Sequence, residues 1–231
     1  MKKKIVIFSL ALIGLVISSV HAQKSSAILK GGVNLANVSI NDDGGIDDAK
    51  TLTSFQVGII GDLKLLPFLS LQPGLTFTGK GSKTHSGDED DATWYRATSN
   101  PYYLEVPVNL VLKTPTGPVK FFAGAGPYIA IGIAGKNKVS GSFLGSDFKS
   151  ESTIEWSDDD PTTFDYEEGA GFGIMKRFDY GLNGLFGIET KNLVVSANYG
   201  LGLAKLQSGS DSDDNNKNKH RVLSFTLGFK L

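Results

Sequence analysis

Beyond the first 22 residues the chain holds two histidines, His85 and His220. Either could act as a general acid or base if an aspartate such as Asp88, or a nearby serine, stood beside it. The alternation of long and short connections along the chain puts both on the outward side, and no nucleophile motif surrounds them, so a hydrolase at the outer rim is the minor reading. Carboxylates are the more abundant reactive groups. They cluster as Asp42, Asp43, Asp47 and Asp48, then as Asp88, Glu89, Asp90 and Asp91, then across Asp147 to Glu168, and finally as Asp211, Asp213 and Asp214. Asp211, Asp213 and Asn215 match the first ligands of a twelve-residue calcium loop. The match then stops, because the sixth position is Asn216 where glycine is needed and the twelfth is Val222 where glutamate is needed. The metal chemistry to expect is therefore loose binding of Ca or Mg by several acidic loops, with no other cofactor. The plainer reading is a solvated surface, which the Gly and Ser among the charges favour. With no cysteine there is no disulfide, no thiol chemistry and no lipid-bearing cysteine.

The acidic clusters fall between segments of a different kind. Eight stretches, at 27–38, 53–64, 69–79, 102–112, 118–133, 178–189, 193–203 and 220–231, have strand composition and lengths near the 9 to 11 residues that cross a bilayer. Their connections alternate. Long polar ones at 39–52, 80–101, 134–177 and 204–219 are separated by tight turns at 65–68, 113–117 and 190–192. Four long loops on one side, and three turns plus both termini on the other, describe an antiparallel up-and-down barrel of eight strands. Within the strands one face is bulky and apolar, the other small or polar. Leu104, Val106, Val108, Leu110 and Leu112 oppose Glu105, Pro107, Asn109 and Val111; Leu223, Phe225, Leu227, Phe229 and Leu231 oppose Val222, Ser224, Thr226, Gly228 and Lys230. A soluble ligand-binding barrel needs the reverse, so the apolar face is read as lipid-facing and the narrow interior as filled.

The N-terminus agrees with that destination. Lys2 to Lys4, an apolar run from Ile5 to Val20 and a small-residue site at Val20-His21-Ala22 have the layout of a secretory signal peptide spanning residues 1–22, with the barrel domain at 23–231. No later window is apolar enough for a membrane-spanning helix, leaving strands as the membrane elements. Net charge is −1, which gives no reason to expect nucleic acid.

Short motifs recur in order along the strands: Gly31-Gly32-Val33-Asn34-Leu35-Ala36, Leu71-Gln72-Pro73-Gly74-Leu75 with Lys80-Gly81, Tyr103-Leu104-Glu105-Val106-Pro107, Gly124-Ala125-Gly126-Pro127-Tyr128 and Tyr199-Gly200-Leu201. Together they resemble the PorT-like outer-membrane β-barrel proteins of Bacteroidetes-type bacteria, and more distantly the OmpA/OmpX-type small barrels. The resemblance implies fold and outer-membrane location, and transfers no catalytic residue. The final strand also resembles the signal read by the barrel-assembly machinery, although it ends in Leu231 where an aromatic is usual.

Several expectations follow. The protein is a non-enzymatic barrel that acts through its acidic outer loops or as a structural or assembly component, with a small-solute channel as the alternative. Its partners are outer-membrane lipid and lipopolysaccharide, and the assembly machinery during biogenesis; an extracellular partner is not identified. Trp94, Tyr95, Tyr102, Tyr103, Phe178 and Tyr180 form an aromatic girdle at the outer bilayer edge. Inward charges at Lys30, Asp62, Lys64, Glu105, Lys120, Glu189 and Lys230 pair into a polar plug. The loop at 134–177 has strand-like patches at Val139–Phe148 and Phe164–Met175 that extend the hairpin of the fifth and sixth strands, and Trp156 and Tyr166 are its contact residues.

Overall fold

The computed structural model describes residues 25–39, 49–88, 90–156, 174–204 and 219–231. Among these lie thirteen strands: β1 Ser26–Ser39, β2 Ala49–Lys50, β3 Leu52–Leu66, β4 Leu69–Gly79, β5 Ser82–Ser86, β6 Trp94–Lys113, β7 Lys120–Phe143, β8 Ser146–Thr153, β9 Glu155–Trp156, β10 Ile174–Met175, β11 Phe178–Glu189, β12 Leu193–Gly202 and β13 Lys219–Lys230. Eight of them, β1, β3, β4, β6, β7, β11, β12 and β13, are each antiparallel to the next, and β13 pairs back onto β1 from Ile28↔Lys230 to Ser39↔Lys219. The ring is closed, so every ladder hydrogen bond within it is made inside the chain, as a bilayer demands.

Side-chain period two sets the two faces of this ring. Along β13, Leu223, Phe225, Leu227 and Phe229 are exposed while Val222, Ser224, Thr226 and Gly228 are buried. Along β6, Val106, Val108, Leu110 and Leu112 are exposed while Pro107, Asn109 and Val111 are buried. Phe225 is 53 % and Phe121 64 % exposed, values that make sense only where lipid covers them. Inside, Ile28, Ile60, Val111, Phe122, Leu185 and Val194 form an apolar cluster that fills one level of the lumen.

The eight expected strands match the ring closely, as do the tight turns, but the described residues of two expected long loops, 80–101 and 134–177, are largely strand. The β6 and β7 ladders continue past the ring from Pro101↔Gly135 up to Trp94↔Ser142. β5 pairs on the far side of β6, and β8 on the far side of β7. A four-stranded sheet, with β2 added beyond β5, thus stands on the long-loop side of the barrel. The strand patch expected at Val139–Phe148 is a hairpin turning at Leu144-Gly145, where φ is 51° and 80°, so both turn residues are left-handed as a two-residue hairpin requires. This hairpin joins β7 to β8: the fifth ring strand is extended above the membrane as expected, but its extension pairs with β6 and β8, and the described residues show no matching extension of the sixth. Of the other patch, Ile174 and Met175 are described and pair in parallel with Glu155 and Trp156.

A β-bulge marks the boundary between barrel and extension. The β6–β7 register shifts between Tyr102↔Ala134 and Tyr103↔Gly132, leaving Ile133 as the extra residue. Ile133 and Ala134 are both exposed, and the buried positions of β7 change from even numbers (Tyr128, Ala130, Gly132) to odd ones (Gly135, Asn137), until Gly141 and Ser142 are both buried near the hairpin end.

Candidate functional site

The polar side chains gather inside the barrel in two ion clusters separated by a small cavity. On the short-turn side, β6 ends at Lys113, whose alternation with Val111 directs it inward. Its ammonium donates to Asp62 Oδ2 at 2.7 Å, Asp62 Oδ1 at 2.9 Å and Glu189 Oε2 at 2.9 Å. Lys230 reaches the same Glu189 oxygen at 2.9 Å, and Gln72 Nε2 donates to Asp62 Oδ1 at 3.1 Å. Asp62 is wholly buried. A carboxylate in that position is tolerated because Lys113 and Gln72 replace the water it lost.

The second cluster lies toward the long-loop side. Lys80, directed inward by alternation with Thr76 and Thr78, sits 2.8 Å from both Glu105 Oε2 and Asp179 Oδ2. Tyr128 donates its hydroxyl to Asp179 Oδ2 at 3.2 Å, and the Lys80 ammonium lies 4.1 Å from the Tyr128 ring centroid. Tyr103, fully buried, meets His220 edge-on at 5.4 Å between centroids, with its hydroxyl 3.4 Å from His220 Nε2. Above Tyr103 the indole of Trp156 packs edge-on at 5.5 Å. Gly132 makes that possible: a Cβ there would collide with the indole ring. Ile154 and Met175 join Trp156 and Val38 in an apolar cap over this end.

Between the clusters is a cavity of about 60 Å³. Lys30, Gln56, Asn109, Asn183, Asn198 and Ser224 are among its lining residues. Lys30 Nζ donates to Asn198 Oδ1 at 3.3 Å, and Asn183 donates to Glu105 at 3.3 Å. Among the described residues, Asn34 Oδ1, Asn109 Oδ1, Asp179 Oδ1 and His220 Nδ1 have no hydrogen-bond partner. A space of this size beside such groups accommodates a few waters. Four interior carboxylates, Asp62, Glu105, Asp179 and Glu189, face four ammonium groups, Lys30, Lys80, Lys113 and Lys230, so these charges balance; Lys120, also expected in the plug, is half-buried at the short-turn end of β7.

The sequence expectations fare unevenly. Asp62, Glu105, Glu189, Lys30 and Lys230 do point into the plug. Lys64 is exposed, and Lys80, Lys113 and Asp179 complete the clusters unexpectedly. The strand alternation already contained that information: Asp179 stands between outward Phe178 and Tyr180, and Lys113 follows inward Val111. His220 was expected in the outer rim beside His85; it is instead sealed inside at 1 % exposure. His85 lies in β5, where its backbone registers with Arg96, and Asp88 closes the β5–β6 turn by donating its N–H to Asp91 Oδ2 at 2.8 Å. The girdle keeps Tyr102, stacked on Phe77 at 5.3 Å, and the exposed Phe178 and Tyr180. Tyr103 leaves it because its alternation with Leu104 turns it inward, and Trp94 and Tyr95 leave it because they stand in the extension. Trp156 is likewise not presented outward as a loop contact but is turned into the cap. Asp211, Asp213, Asn215 and Tyr166, together with the N-terminal segment 1–22, lie outside the described residues. Among the described residues, no group of three or more metal-ligating side chains is arranged to hold an ion.

An apolar sheath around a closed antiparallel ring, with all charge inside or beyond the ends, defines a small membrane-spanning barrel. The chain belongs to the family described as outer membrane protein beta-barrel domain, whose profile matches residues 21–208, and it is accordingly an outer-membrane protein. No curated protein matches it in sequence. Among solved structures, Ail, the attachment invasion locus protein of Yersinia pestis, is 14 % identical over 90 % of this chain and 100 % of its own, with a TM-score of 0.40. OprG from Pseudomonas aeruginosa is 14 % identical over 90 % of this chain and 97 % of its own, with a TM-score of 0.43. Neisserial surface protein A is 15 % identical over 90 % and 100 %, with a TM-score of 0.39.

Proposed function

We propose that this protein is a closed, non-enzymatic outer-membrane barrel of the PorT-like kind that works through the β-structure and acidic loops on its extracellular side. One observation supports this above others: among the described residues two ion clusters and the Trp156 cap occupy the two ends of the lumen, with a cavity of about 60 Å³ between the clusters. Burial of His220 removes one of the two groups a rim hydrolase would use. Export by a signal peptide cleaved after Ala22, and recognition of β13 by the assembly machinery, belong to the same reading. So does loose Ca or Mg bridging between acidic loops and lipopolysaccharide. Planar-bilayer recording on the purified barrel tests the central point, with no discrete conductance expected. Stepwise currents would overturn it in favour of a small-solute channel through the cavity between Lys30 and Glu105.

A further inference from the structure

The extracellular sheet ends in an edge strand with unusual properties. β8 runs for eight residues without proline and pairs with β7 without a register shift, and every one of its side chains is exposed. Among the described residues β7 is its one strand partner. Natural edges are normally blunted by bulges, proline or brevity. Here the only such device is charge, and the charges are ordered in a particular way.

The hairpin geometry fixes which backbone groups face outward. A two-residue turn at Leu144-Gly145 makes Phe143↔Ser146 a hydrogen-bonded pair, and such pairs recur at every second residue. The bond from Ile154 N–H to the Gly135 carbonyl, at 3.0 Å, keeps this phase at the other end. Ser146, Phe148, Ser150 and Ser152 therefore direct their N–H and C=O groups to β7. Asp147, Lys149, Glu151 and Thr153 direct theirs away, to the open edge.

An antiparallel second copy must place these four residues opposite one another. The register centred on Ser150 facing Ser150 sets Lys149 against Glu151 twice by symmetry, and Asp147 against Thr153. A slip of two residues one way sets Lys149 against Lys149 and Asp147 against Glu151. A slip the other way sets Glu151 against Glu151. Charge thus selects the register with the most complete overlap. It also leaves Glu151 between Lys136 and Lys138 of its own chain, 2.6 and 3.3 Å away, and Lys149 of the second copy.

Strand tilt decides how the copies are arranged. Barrel strands lean about 35–45° from the membrane normal. β8 is laddered to β7, which continues a ring strand; with that lean, a two-fold axis along the normal would cross two β8 strands at roughly 70–90°, which no antiparallel ladder tolerates. A two-fold axis in the membrane plane aligns them, and it places the two barrels in facing membranes.

We propose that β8 is a homophilic contact strand, pairing antiparallel with β8 of a second copy on an opposing membrane through reciprocal Lys149–Glu151 contacts. The proposal rests on the reading that the protein acts through its extracellular β-structure. Its test uses the full mature barrel in liposomes of neutral phospholipid, with clustering followed by light scattering and folding checked by heat-modifiable electrophoretic mobility. Wild-type vesicles cluster. Lys149→Glu and Glu151→Lys each abolish clustering, and mixing vesicles of the two variants restores it, because opposite charges again face across the strand pair. Lys149→Pro, which removes an outward N–H that β7 does not use, also abolishes it. Dispersed wild-type vesicles, clustering of Lys149→Glu vesicles at the wild-type rate, or a mixture that stays dispersed would each overturn the proposal. Those results would leave the absence of conductance untouched, so failure here is distinct from failure of the closed-barrel reading.

Discussion

Replacing Lys113 by methionine gives the sharpest test of how the barrel is held closed. The side chain is of similar length, so packing changes little, while three charge-assisted hydrogen bonds are lost. The consequence falls unequally on the two acids. Glu189 keeps Lys230 at 2.9 Å, but Asp62 is left with Gln72 alone at 3.1 Å, wholly buried. Removing one partner of a buried ion pair costs about 3–5 kcal/mol, because the other charge stays desolvated. With a urea slope of about 2 kcal/mol/M for a chain of this size, the unfolding midpoint falls by roughly 1.5–2.5 M. Adding Asp62→Asn restores neutrality and brings stability back to within about 1–2 kcal/mol of wild type. The assay is urea unfolding of the barrel in lipid vesicles, followed by intrinsic tryptophan fluorescence. A loss below about 1 kcal/mol for Lys113→Met, or no recovery in the double variant, would refute the claim that this ion cluster closes the short-turn end.

Phe225→Arg, at mid-strand on the exposed face of β13, should cost about 2–4 kcal/mol in the same assay, as a cation does at the bilayer midplane; an effect under about 1 kcal/mol would contradict the lipid-facing assignment. Gly132→Val places a branched Cβ where the Trp156 indole sits, so it should displace the cap and raise acrylamide quenching of Trp156, read in a Trp94→Phe background. Unchanged quenching would mean the indole is not seated there. In the extension, hydrogen bonds from Lys136 and then Lys138 hold the exposed Glu151 carboxyl below its usual range. A depressed folded-state value stabilises the hairpin above the ordinary carboxylate range, and that contribution is lost as pH falls through the lowered value. Amide exchange in β7 and β8 should therefore speed up on acidification below the ordinary carboxylate range in wild type, and change less in Glu151→Gln.

The ring was legible in the sequence because lipid outside and a narrow lumen inside impose a two-residue period on every strand, as Leu104 to Leu112 and Val222 to Leu231 display. The same period carried most of the plug: one residue past the expected ends at 79 and 112 it reaches Lys80 and Lys113, and within 102–112 and 178–189 it turns Tyr103 and Asp179 inward. The extension was hidden for a different reason. Above the membrane both faces of β5 to β8 meet water or each other, so segments such as Ser146–Thr153 alternate between polar and polar, and periodicity has nothing to report. His220 was misplaced because it opens the last expected strand, an end position that points to the outer rim, whereas the inward phase of Val222 and Ser224 carries back to it in β13.

The bulge at Ile133 explains how one strand serves both environments. Below it, β7 must present its even-numbered residues to a lumen crowded enough to need Gly124, Gly126 and Gly132. Had that phase continued upward, Lys136 and Lys138 would lie on the buried side of the extension, and Asn137 and Gly141 on the open side. One extra residue reverses the phase, so both lysines become exposed and meet Glu151 at 2.6 and 3.3 Å. The bulge also sits directly beside Gly132, where Trp156 caps the lumen, so the place where β7 stops being a lipid-facing strand is the place where the barrel is sealed. Closure of the lumen and erection of the sheet are thus two results of one local insertion, and deleting Ile133 should disturb the Trp156 cap and the β7–β8 edge together.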